Sequence, residues 1–383
     1  MDENVIFEYG SQVLTELFVN REEEQRRLES NFAGGQNTII IAPRRWGKSS
    51  LVAQMEHRMK RNKKIRFCYM DMFGIRSEKE FYETLMIEVV KATTSKLEER
   101  IKVFQEFIRR IVPKISFGVT PDQEWSLSVD LKEARKNFSE IIDLPERIGK
   151  AKGIRIIMCI DEFQNITYFD RDISFQRKLR AHWQKHQLTA YCLYGSRRHM
   201  MMDVFENSKN PFYHFGSLMM LGRIEEKHWI PFIQRVFKAN KKNISTAMST
   251  QIARRMENFP YYVQQYGQEV LLHTQRTVTE ETLDVALESI LNRNTIFYHR
   301  DIESLTNIQL NLLKAIMAGE RRLTTNEVIR KYELGNGPNT YRAKDALRNK
   351  DIIDDFEPQI LVLDPVFKIW FQRNLLPKYH YDD

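Results

Sequence analysis

Thr38-Ile39-Ile40-Ile41-Ala42-Pro43-Arg44-Arg45-Trp46-Gly47-Lys48-Ser49 is the stretch on which the fold turns. Its first four residues are β-branched and uninterrupted by charge, which predicts a short strand buried on both faces. Helical spacing follows from Ser50 to Arg61, so the stretch reads strand, loop, helix. In a loop of pattern G-x-x-x-x-G-K-[ST], backbone N–H groups curl around phosphate. The lysine reaches the outer phosphates, and the hydroxyl serves Mg²⁺. Gly47, Lys48 and Ser49 take the last three places, and Ala42 stands where the first glycine would be. A chance Gly-Lys-Ser in a surface turn lacks this flanking strand and helix.

Outward from the loop, four more apolar runs have strand length: Ile65 to Met70, Ile154 to Ile160, Leu188 to Tyr194 and Leu218 to Leu221. All are continuous rather than alternating, and the segments between them can hold crossover helices. That combination predicts an α/β core with a parallel sheet covered on both faces. A phosphate loop demands a carboxylate for the metal at the end of another buried strand, and a hydrolase a second one to orient water. The strand ending Cys159-Ile160-Asp161-Glu162 supplies both. Neighbouring side chains of an extended segment face opposite ways, so Asp161 is assigned to the metal with Ser49, and Glu162 to the base.

The chain has 383 residues, 42% hydrophobic and 29% charged, with 26 glycines and prolines together, which excludes global disorder and collagen-like structure. No apolar run reaches the ~20 residues of a membrane span, and the start Met1-Asp2-Glu3 lacks the features of a signal peptide, so a cytoplasmic location without membrane partners is expected. Lys plus Arg minus Asp plus Glu is 59 − 51 = +8, which favours polyanionic partners. Cys68, Cys159 and Cys192 each sit inside an apolar run and read as reduced core residues.

Three regions follow from changes in periodicity. Residues 1–222 hold the core. Within it an amphipathic stretch from Glu80 to Ile111 precedes an alternating segment at 113–131, where Ile115, Phe117 and Val119 and then Trp125, Leu127, Val129 and Leu131 flank a turn at Thr120-Pro121-Asp122. This predicts an inserted β-hairpin, packed on its own domain or docking another subunit. Residues 223–300 have helical spacing throughout and read as a helical lid subdomain. Residues 301–383 read as a winged helix-turn-helix: helices at Leu305 to Ala318, Thr324 to Tyr332 and Tyr341 to Lys350, then a hairpin from Ile352 to Asp354 and Ile360 to Leu363.

These residues resemble the archaeal-type ATPases, a branch of the AAA+ P-loop proteins close to the STAND signalling ATPases. Phe18-Val19-Asn20-Arg21-Glu22, within an expected clasp at about 14–30, is similar to the family's hydrophobic-Gly-Arg-Glu adenine clasp, with Asn20 in place of glycine. The run Ala42 to Ser49 looks like its P-R-R-x-G-K-[ST] loop, and Asp161-Glu162-Phe163-Gln164 matches its D-E-F-Q motif. Tyr194-Gly195-Ser196 resembles its polar sensor. Asn258-Phe259-Pro260-Tyr261-Tyr262 is similar to the lid segment G-x-P-Y-Y, again with asparagine for glycine. The resemblance implies ATP bound between core and lid with Mg²⁺, and hydrolysis to ADP. The nucleotide-binding residues it implies are Ala42, Pro43, Arg44, Arg45, Trp46, Gly47, Lys48, Ser49, Ser50, Val19, Arg21, Ser196 and Pro260. Arg197 and Arg198 follow the sensor strand, as an arginine does in STAND relatives. Arg197 is the preferred sensor, with Glu162 and Lys48 as the other catalytic residues. Arg44 and Arg45 face either phosphate or the acids of the D-E-F-Q strand.

In a winged helix the second helix of the motif enters the major groove. Here Asn339, Thr340, Arg342, Lys344, Arg348 and Lys350 offer donors, while Tyr341, Ala346 and Leu347 are expected to face inward. From Asp301 to Asp383 there are 12 Lys plus Arg and 13 Asp plus Glu, a net of −1, so the positive charge lies in the first 300 residues. Two outputs therefore stand. One is an ATPase acting with duplex DNA; the other is a STAND-like switch that binds a protein partner or self-assembles. A nucleotide-binding scaffold without turnover is the third reading. His182 and His186 have the spacing of a metal pair but no third ligand.

Overall fold

The protein is described from a computed structural model over residues 6–13, 17–95, 99, 115–119, 125–355 and 360–376. The turn at Thr120-Pro121-Asp122, residues 14–16 of the clasp and most of the stretch from 96 to 114 lie outside the described residues. Two compact units form. One comprises Arg21–Ala42 and Lys48–Gly222, the other Met1–Asn20, Pro43–Gly47 and Arg223–Asp383.

The first unit is an α/β fold around β1 (Thr38–Ile41), β2 (Ile65–Asp71), β5 (Arg155–Asp161), β6 (Thr189–Gly195) and β7 (Ser217–Met220). A separate hairpin pairs β3 (Ile115–Val119) antiparallel with β4 (Trp125–Val129), Phe117 opposite Leu127, and runs beside the helix Glu78–Thr93 of its own unit. The five core strands are parallel in the order β2-β5-β6-β1-β7. All four β1 residues are buried because a strand flanked by β6 and β7 and covered on both faces has no wet side. Connections from β1 and from its neighbour β6 lead to opposite edges of the sheet, and ligands of open α/β sheets bind at such a switch point, beyond the carboxyl ends of the strands.

The helix after the loop begins at Lys48 and ends at Met59, two residues earlier at each end than spacing suggests. Its first turn carries no acidic side chain, an N-terminus suited to an anion. The substituted glycines have a backbone reason. Asn20 and Asn258 both lie in the left-handed region, φ 57° and 61°, which asparagine tolerates better than other residues with a Cβ. Ala42 does not have positive φ and is fully buried, so a methyl group fits where the loop pattern calls for glycine. Cys68, Cys159 and Cys192 are buried and free.

The second unit contains the helices Glu226–Ala239, Thr246–Arg255, Pro260–His273 and Glu280–Glu303, followed by the winged helix. Its helices Asn307–Met317, Asn326–Lys331 and Gly337–Asn349 start at Thr306, Thr325 and Asn336, whose side chains each accept a first-turn N–H. The wing pairs β8 (Ile353–Asp354) with β9 (Leu361–Val362). Beyond the three helices and the wing lies a further helix, Pro365–Leu375. An Asp364 N-cap, a proline at the first helical position and buried Val366, Phe367, Trp370 and Phe371 form its start signal. Among the described residues no helix is long and apolar enough to cross a membrane.

Candidate active site

Within the core unit, five side chains, those of Lys48, Ser49, Asp161, Glu162 and Ser196, gather at the carboxyl ends of β1, β5 and β6. Lys48, 7% exposed, donates from Nζ to the Ala42 carbonyl at 2.8 Å, closing the loop on its own first residue. Ser49 donates from Oγ to Asp161 Oδ2 at 3.0 Å. Asp161 Oδ1 accepts the Glu162 N–H at 2.8 Å. Burial pushes Asp161 up to about 6, Lys48 opposing the rise and Glu162 adding to it. A carboxylate that is costly to charge, beside a hydroxyl, is stabilised by a hard cation taking oxygen ligands from both.

Glu162 leaves the strand in the left-handed conformation, φ 50°, which turns its side chain off the strand direction. Its Oε2 accepts from Ser196 Oγ at 2.9 Å and from the Ser196 N–H at 3.3 Å, and Gln164 Nε2 also donates to it. Ser196 and the glutamine of the D-E-F-Q segment therefore both hold the Glu162 carboxylate. Phe163 anchors this turn from beneath, fully buried against Phe212 at 5.2 Å and Phe205 at 5.7 Å. Gly195 has no room for a side chain, since a Cβ there would lie 1.9 Å from Gln164 Oε1 and 2.7 Å from Met201 Sδ. Gly195→Ala is expected to displace Gln164 and cost about 1–3 kcal/mol, read as a lower midpoint in urea.

Arg197 donates to the Tyr168 hydroxyl at 2.6 Å, and Arg76 lies over the same ring at 5.1 Å. Tyr168 carries no motif signal because its role depends on the 3₁₀ turn Phe163–Tyr168 that follows the acids. Arg21 is 4% exposed and donates to the Gly222 carbonyl at 2.7 Å and to Glu24 at 3.0 Å. Val19 is buried in the other unit.

The middle of the loop belongs with the C-terminal unit. Arg45 has φ 66° and Gly47 φ 83°, a backbone that turns N–H groups to one side as an anion cradle requires. Trp46 packs edge-on against Phe259 at 5.3 Å, and the Tyr261 N–H donates to the Arg45 carbonyl at 3.4 Å, so the Pro260 segment lies against the loop. Among the described residues, the carboxylates that pair with the loop arginines are those of this same unit. Arg45 faces Asp364 at 3.6 Å and donates to the Tyr262 hydroxyl, and Arg44 faces Asp351 at 3.3 Å.

Two expectations for the winged helix, Thr340 as an outward donor and Tyr341 as an inward residue, are corrected. Thr340 is buried, and its hydroxyl donates to the Asn336 carbonyl at 3.0 Å, so it is not an outward donor. Lys344 and Arg348 lie 3.3 and 3.2 Å from Asp355, and Arg348 is 2.7 Å from Asp345, which neutralises both cations locally. Tyr341, expected inside, is 58% exposed beside exposed Arg342. The buried face of this helix is Thr340, Ala343 and Leu347, three and four residues apart, which turns Tyr341 outward. His182 and His186 share one oxygen of Asp143 at 2.9 Å each. Among the described residues no group of three or more His, Cys, Asp or Glu could hold a metal.

The family described as ATPase domain predominantly from Archaea matches residues 18–265, and that described as Probable winged helix domain matches 296–373. Among solved structures, a Walker-type ATPase of Pyrococcus abyssi superposes with a TM-score of 0.66 at 18% identity, covering 96% of this chain and 100% of that one. The ORC2 protein of Aeropyrum pernix, solved as ADPNP–ADP complexes, superposes with a TM-score of 0.56 at 12% identity, covering 94% and 97%. No curated protein matches. At these identities the structures show a shared P-loop fold, while the family match spans well over half the chain. The chain belongs to the family of ATPase domains found predominantly in Archaea, and it carries a winged helix domain after the ATPase domain.

Proposed function

We propose that the protein is a Mg²⁺-dependent, ATP-hydrolysing molecular switch. The observation that carries this reading is Glu162 held by Ser196 and Gln164 next to the Ser49–Asp161 pair. Lys48 would neutralise the outer phosphates. The Ala42–Ser50 backbone would cradle them, and Val19, Arg21 and Pro260 would border the base and sugar. Ser49 and Asp161 would hold Mg²⁺, which supplies charge neutralisation across the outer phosphates when bound. Glu162 accepts the proton of the attacking water, and Arg197 is positioned through Tyr168 as the sensor. Phosphate release that needs ATP and stops with a chelator is expected, and no calorimetric heat with any purine triphosphate would sink the reading.

For the output, the paired state of Lys344 and Arg348 favours the signalling alternative, a protein partner or self-assembly, over groove binding by this helix. The strongest run of exposed cations, Lys60, Arg61, Lys63, Lys64 and Arg66, lies in the core unit instead. Replacing Lys344 and Arg348 together by alanine is expected to change duplex-DNA affinity less than about twofold, because cations already paired release few counterions. A drop of tenfold with a shallower salt dependence would restore the DNA reading.

A further inference from the structure

We propose that the two loop arginines make the winged helix a reader of nucleotide state, Arg45 as a fixed pin and Arg44 as an exchangeable contact that trades Asp351 for phosphate. This rests on the nucleotide reading above and extends it to regulation of the same loop.

The two arginines are adjacent in sequence but held very differently. Arg45 is over-determined. Its guanidinium lies 4.8 Å from the Tyr261 ring centre and 5.3 Å from that of Tyr262, donates to the Tyr262 hydroxyl and faces Asp364 at 3.6 Å. Its carbonyl accepts the Tyr261 N–H. Asp364 is fixed in turn, because it caps the last helix by accepting from the N–H groups of Val366 and Phe367 at 2.9 Å each. Arg45 therefore ties the tip of the phosphate loop to the lid helix Pro260–His273 and to the last helix of the winged domain.

Arg44 faces Asp351 at 3.3 Å, and its side chain is 48% exposed. An ion pair that open to water is weak, so a polyphosphate carrying several charges on the same loop competes with it readily. Asp351 follows the motif's second helix, Gly337–Asn349, in the left-handed conformation at φ 56°, and leads directly into β8. Departure of Arg44 thus removes one tie on Asp351, at the joint between that helix and the wing. The two arginines, Tyr262, Tyr298, Lys350 and Asp364 line a cavity of about 440 Å³, which leaves Arg44 space to turn.

The test uses the full chain with ATPγS. Asp351→Asn keeps a residue that tolerates positive φ while removing the charge. It is expected to tighten ATPγS binding three- to tenfold in calorimetry, and the gain should vanish when Arg44→Ala is added. In wild type, ATPγS should speed hydrogen exchange at 350–355 at least threefold. Equal affinity of wild type and Asp351→Asn, or a gain that survives Arg44→Ala, would overturn the exchange of partners. If wild type binds no triphosphate, the nucleotide reading fails on its own. The latch is then judged without nucleotide: Asp351→Asn and Arg44→Ala should each speed exchange at 350–355 by the same factor, and wild-type rates in both variants would reject it.

Discussion

Glu162→Gln is expected to remove turnover while leaving ATP bound. The loss is expected to be about 10²–10⁴-fold in kcat, the usual contribution of a positioned general base. Affinity should stay within about threefold, because the base acts on water and not on the ground-state nucleotide. The substitution suits the site. Glutamine matches glutamate in size, and its carbonyl oxygen can still accept from the Ser196 hydroxyl, 2.9 Å from Oε2 in the wild-type structure. Single-turnover phosphate release alongside calorimetry separates the two quantities. Turnover retained at a tenth or more of the wild-type rate would remove Glu162 from the chemistry and reopen the scaffold reading.

Asp161→Asn is expected to make the nucleotide-free protein more stable and the site useless for metal. Asp161 is held at about 6 in the folded chain, above its ordinary 3.8, chiefly because burial penalises its charge. A carboxyl raised in this way binds its proton more tightly folded than unfolded. Stability from this group is therefore greatest at low pH and falls as pH rises between about 4 and 6. At pH 7 the charged form costs roughly 2–3 kcal/mol, at 1.36 kcal/mol for each tenfold change in proton affinity between the unfolded and folded chain. Asparagine removes that cost while keeping an oxygen for Ser49. The apo variant should melt about 5 °C higher than wild type at pH 7, with a flatter pH dependence from 4 to 6. Adding Mg²⁺ with ATP should raise the midpoint of wild type and leave that of the variant unchanged. A variant less stable than wild type at pH 7 would show that Asp161 serves the fold through Ser49 and not the ion.

Much of this was legible in residue order. Four β-branched residues shortly before a Gly-Lys-Ser, and a buried strand running into Asp-Glu, each fix a local structure whose burial and polarity leave one arrangement: strands inside, their polar carboxyl ends at a shared rim. Local chemistry also explains why asparagine could replace glycine at positions 20 and 258, since both need positive φ. What sequence could not decide was partner choice at range. Arg44 and Arg45 look like phosphate ligands by position, yet their carboxylates stand some 300 residues away, at Asp351 and Asp364. Lys344 and Arg348 look like groove contacts until Asp355 on the wing claims them. An ion pair depends on distance through space, and a chain that folds back on itself sets those distances only when its helices pack. The backbone geometry of the loop was thus written in the sequence, while the direction in which its charges point was decided by tertiary structure.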